Sequence, residues 1–165
     1  MVIKLTGNDI SNKLRRKDAF SFVELLISAS ILMVIVIGLL YTYIACFELN
    51  EFSRNLTLAN NALQAKLESI RETPFDSITA LDGTTFSLDG FASGQAIGVV
   101  DIYDSVYSDL KYIRLVACWK QKSNRVIGED TNLDGTLQPQ EDANGDGDGI
   151  LDSPAEIITL ISRVE

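Results

Sequence analysis

Residues Phe20 to Phe47 read FSFVELLISASILMVIVIGLLYTYIACF, and between Glu24 and Glu48 no residue is charged. Wound as a helix at about 1.5 Å per residue, that uncharged run spans roughly 34 Å, enough to cross the hydrocarbon core of a bilayer. A cleaved secretory signal has a shorter apolar core followed by small residues at the cut. Here Ser28, Ala29 and Ser30 come before most of the apolar residues, so that alternative fits poorly. Glu24 is the unusual residue. A carboxylate at the edge of such a segment either lies at headgroup level in contact with water or is neutralised by a partner.

The pattern changes after Phe47. Leu49, Phe52, Leu56, Ala59, Leu63, Leu67 and Ile70 recur at steps of three and four, with polar residues including Asn55 filling most other positions. This is an amphipathic helix, and Thr73-Pro74 disfavours its continuation. One helix is therefore expected from about Phe22 to Glu72. Its stripe is expected to dock on the chain's own domain rather than on a partner helix. Beyond it, Asp82-Gly83 and Asp89-Gly90 are turn pairs around short strands or an extended loop. Gln95 to Tyr103 is rich in β-formers, and Leu110 to Lys120 is the clearest strand, with Ile113, Leu115, Ala117 and Trp119 on one face. Lys122-Ser123-Asn124 reads as a turn, Val126-Ile127 as the start of a strand, and Glu156 to Ser162 as a closing strand. The predicted class is α+β: a long N-terminal helix, transmembrane in its first half, packed on a small antiparallel sheet.

Residues 129 to 156 carry nine carboxylates and neither Lys nor Arg. Without a cation such a segment repels itself. Asp130, Asn132, Asp134, Gly135, Thr136, Gln138 and Glu141 fall at positions 1, 3, 5, 6, 7, 9 and 12 of an EF-hand loop, where oxygen ligands, a glycine bend and a terminal Glu suit Ca²⁺. The flanks depart from that pattern: Val126-Ile127 looks like strand and Pro139 lies inside the loop. A calcium loop without paired helices is expected. The order Glu-Asp-x-Asn-x-Asp-Gly recurs from Glu141 to Gly147, which adds Asp142, Asn144, Asp146, Asp148 and Asp152 as candidate oxygen ligands of a weaker second copy. The competing reading is a solvated acidic loop.

Composition removes other classes. The chain has 165 residues and no His, so triads and zinc sites that use His are excluded. No nucleophile–base pair or phosphate loop is evident, and an enzyme is not expected. The first 19 residues carry Lys4, Lys13, Arg15, Arg16 and Lys17 against Asp9 and Asp18; of the total charge of −9 this leaves −12 for the remainder. Basic residues ahead of the apolar span place the N-terminus in the cytoplasm and the acidic part outside. An acidic exterior also argues against nucleic acid as a partner. Cys46 and Cys118 fit no metal spacing, and a disulfide between an apolar helix and a strand is the less favoured reading.

A short basic leader, a small residue, Phe-Ser-Phe-Val-Glu and a long apolar helix together resemble the class III signal of type IV pilins and type II secretion pseudopilins. SRNLTLANNALQAKLESIRETPF, from Ser53 to Phe75, is similar to the helix end of the minor members. The resemblance implies a leader at 1–19, cut by prepilin peptidase between Ala19 and Phe20, with methylation of the Phe20 amine. The family has Gly before the cut where this chain has Ala19. It further implies a filament-core helix at 20–47, an amphipathic half at 48–73, and a head at 74–165 carrying the acidic insertion at 129–153. Glu24 would pair with the Phe20 amine of a neighbouring subunit. The expected partners are other pilin or pseudopilin subunits, the peptidase and an inner-membrane assembly platform. The protein would sit in the inner membrane before assembly, with its head periplasmic or extracellular. From a different class, a membrane-anchored calcium-binding or adhesion module that never polymerises remains the alternative.

Overall fold

The computed structural model describes residues 21–142 and 149–163. Helix α1 runs Phe22–Arg71, and its two halves fall in two compact units, 1–45 and 46–165. In the first unit every large apolar side chain from Phe22 to Ile44 is exposed. Ser21 accepts the first helical bond from the Leu25 amide, and Glu24 sits in the first turn, facing the positive end of the helix dipole. Ser21-x-x-Glu24 has the spacing of a capping box.

The second unit holds the remaining elements. They are α2 (Phe75–Ile78), a 3₁₀ turn (Thr79–Leu81), β1 (Thr84–Phe86), β2 (Ala96–Asp104), β3 (Leu110–Lys120), β4 (Val126–Ile127) and β5 (Ala155–Ser162). The class is α+β with a five-stranded antiparallel sheet, as the sequence predicts. The amphipathic stripe docks on its own domain: Ala59, Leu63, Leu67 and Ile70 are buried with Val100, Ile113, Leu115, Ala117 and Trp119. Phe52 and Phe91 flank the Trp119 ring at centroid distances of 6.1 and 6.4 Å. Gly98 is required here, because Phe86 lies across from it and any Cβ would stand 2.3 Å from that ring.

Three local expectations are corrected. Asn55, assigned to the polar face, is buried. Leu49, assigned to the stripe, is exposed. Phe75–Leu81, given no element by the sequence reading, is helical, because Pro74 starts a new turn without allowing α1 to continue.

The sheet has one organising detail. β4 pairs with β3 at Trp119–Lys120, and β5 returns to the same edge at Ala117. Residues 128–154 therefore leave and re-enter the sheet two positions apart along β3. Glu129 and Asp152 close this stem: the Glu129 amide donates to the Asp152 carbonyl, and the Asp152 amide to Glu129 Oε2. The insertion covers the sheet face opposite α1, where Leu151, Leu133 and Leu137 pack on Val99, Val116 and Cys118.

Candidate metal loop and its ion-pair anchor

The 130–141 turn is built from side-chain acceptors and backbone donors. Asp130, fully buried, accepts from the Asp134 amide at 3.1 Å and the Gly135 amide at 2.7 Å. Glu141, 4% exposed, accepts from the Thr131 and Asn132 amides at 3.1 and 3.2 Å, from the Thr131 hydroxyl, and from the Gln138 amide. Both ends of the loop thus turn their carboxylates onto the loop's own N–H groups. Gly135 makes the bend with φ +84°, a conformation that side chains disfavour. A Cβ at Gly135 would also stand 2.3 Å from Thr85 Cγ2, so the bend rests directly on β1.

A second cluster forms on the exposed side. Asp134 accepts from the amide and hydroxyl of Thr136, from Asn132 Nδ2 at 3.0 Å and from Gln138 Nε2 at 2.8 Å. The Thr136 bonds, with those from Asn132 and Gln138, hold the Asp134 carboxyl below its usual range, whereas burial pushes that of Asp130 up. All six residues proposed from the spacing, Asp130, Asn132, Asp134, Thr136, Gln138 and Glu141, therefore belong to one hydrogen-bonded turn. As they stand, no three acidic or Cys side chains among the described residues converge as a metal-holding group. Their oxygens are taken by amides and hydroxyls. Asn144, Asp146 and Asp148 lie outside the described residues, as do Ala19 and Phe20; Asp142 follows directly on the turn.

Asp152 takes a different place. It pairs with Arg114 Nη2 at 2.8 Å, while Arg114 Nε donates to Glu156 and Nη1 lies 3.6 Å from Asp101 Oδ2. Arg114 projects from the middle of β3 on the face the insertion covers and is itself buried. Burial opposes its charge, but Glu156, then Asp101 and Asp152, outweigh that and raise its pKa above the ordinary value. Burial likewise raises the Asp101 carboxyl, against the pull of Arg114. Sequence reasoning missed this anchor. The available signal was a lone Arg in an otherwise apolar strand core, which calls for acidic partners.

Cys118 lies under the same insertion, its thiol pushed up to about 11 by burial. Both cysteines are free. In a Cys46→Ser chain, Cys118 is expected to resist a thiol reagent at pH 8 until the head unfolds. Rapid labelling of the folded protein would show that the insertion does not cover it.

Comparison of the chain with protein-family models, with curated proteins and with solved structures gives no significant match.

Proposed function

We propose that the chain is a structural subunit of a type IV pilus or type II secretion pseudopilus, of the minor pilin or pseudopilin kind, with a head stiffened by Ca²⁺. One observation carries the reading: the apolar half of α1, long enough to cross a membrane, has none of its most apolar window buried. Exposed apolar surface of that extent needs a cover. Lipid supplies it before assembly, and neighbouring helices of the same kind supply it in a filament. Glu24 is then the one charge entering that environment, and a methylated Phe20 amine on the adjacent subunit is its counter-charge. Prepilin peptidase and an inner-membrane assembly platform are the implied partners, with the head periplasmic or extracellular.

In the head, Asp130, Asn132, Asp134, Thr136, Gln138 and Glu141 would hold the ion. What supports this is the donor set: hard oxygens at alternate positions, two of them on buried carboxylates, with no Lys or Arg in the segment. The same exposed helix would serve an anchored, non-polymerising calcium module, and mass spectrometry of the mature N-terminus separates the two.

Glu24→Gln is the sharper substitution, because an amide can still cap the first turn while the charge is gone. Membrane insertion is expected at the unsubstituted level, with filament incorporation falling at least about tenfold, as when a desolvated charge pair loses one partner. Equal incorporation, or an N-terminus that retains the leader, would rule out the filament reading.

A further inference from the structure

Strand β5 is an open edge. Among the described residues it pairs with β3 alone, so alternate N–H and C=O groups along Ala155–Ser162 have no strand partner. Folded proteins protect such edges with charges, prolines or shortness. The opposite edge, β1, follows that rule with three residues. β5 does not: it is eight residues long and uncharged from Ile157 to Ser162. On its outer face Ile158 is 65% and Leu160 49% exposed, and neither belongs to the cluster formed by Leu133, Leu137 and Leu151. At the same edge lies a cavity of about 550 Å³ lined by Pro74, Phe75, Ile78, Leu160, Ile161 and Ser162. A strand laid along β5 would place alternate side chains in this cavity and on Ile158 and Leu160. That is the geometry of recognition by strand addition, in which the backbone gives affinity and side-chain pockets give selectivity.

The charge around the edge selects the occupant. Among the described residues the cations at this edge are engaged: Arg71 with Glu68, Lys111 with Asp104, and Arg163 with Asp76, with Asp109 3.9 Å away; Lys111 and Arg163 also lie over the Phe75 ring. Three cations thus face five carboxylates, with Glu72 beside the C-terminal end of α1, whose carbonyls add negative potential. A second copy of this strongly acidic chain would meet repulsion there; a cationic strand would not.

We propose that the free edge of β5 accepts an extended segment of a partner protein in which apolar side chains alternate and Lys or Arg flank them. This holds whether or not α1 enters a filament, so its test is independent of leader cleavage and assembly. The full chain in detergent micelles is titrated with a labelled ten-residue peptide alternating Val and Thr between paired Lys residues, and with a twin carrying Glu in place of Lys. The Lys peptide is expected to bind and to slow amide exchange across Ile157–Ser162, leaving Thr84–Phe86 unchanged. Leu160→Lys and, separately, Ile158→Lys place a like charge on the exposed face and are expected to weaken binding at least about tenfold without loss of helix or sheet signal. Failure of the Lys peptide to bind, or protection elsewhere, overturns the proposal. So does equal binding of the Glu twin. Self-association without peptide that Leu160→Lys abolishes would assign the edge to a second copy and overturn it as well.

Discussion

Saturating Ca²⁺ is expected to raise the melting temperature of the metal-free full chain by about 10 °C, from roughly 2.7 kcal/mol at a hundredfold excess over Kd acting on a head of this size. Asp130 is a fully buried carboxylate whose neighbours in the loop include further acids. Burial raises its pKa, so the ionised form is held at a cost that two amide donors reduce but do not remove. A divalent ion would replace that cost with an attraction shared by Asp130, Asp134 and Glu141. The gain would reach the sheet, because Gly135 rests on Thr85 and the Leu133 and Leu137 side chains pack on its outer face. Asp130→Asn and Glu141→Gln should each abolish the response. Mg²⁺ should fail to reproduce it, since it keeps its waters and demands a tighter octahedron. A melting temperature that ignores Ca²⁺, or responds equally in Glu141→Gln, would remove the ion from this loop.

Much of the head was legible because its periodicities are long. The three-and-four spacing to Ile70 set the end of α1 at Arg71, within one residue of the expected Glu72, and the alternation from Leu110 to Lys120 matched β3. Seven residues from Phe75 to Leu81 are too few to show a helical period, which is why no helix was read there. The position of the insertion was hidden for a different reason. Its acids dominate the reading, while three leucines, Leu133, Leu137 and Leu151, fix it to the sheet. β3 carried the missing hint: apart from Arg114, Ile113 to Trp119 are apolar on both faces, and a strand buried on both sides needs a cover on both. For the 130–141 loop, sequence spacing alone grouped residues that the fold brings into one turn. It could not assign Asp152 to Arg114, because that pair is 38 residues apart and depends on where the loop stem closes.

Replacing Arg114 with Ala should destabilise the head by about 3 kcal/mol, at the low end for a buried ion pair that loses one partner. Asp101, Asp152 and Glu156 would be left facing one another across β2, β3 and β5 with the cation gone. Asp152 and Glu156 keep access to water, which limits the cost; Arg114, 7% exposed, provides the link none of them can make alone. Arg114→Lys should recover part of the loss, because a point charge can face the acids but cannot bridge two of them as the guanidinium fork does. Arg114→Met should not, although it fills the same space, and this comparison separates charge from packing. The substitution also acts on the insertion, since Asp152 closes its stem against Glu129. Chemical denaturation should therefore show lower stability for Arg114→Ala together with faster Cys118 labelling in the Cys46→Ser background, as the cover over β3 loosens. Unchanged stability and unchanged labelling would mean that the three leucines alone hold the insertion on the sheet.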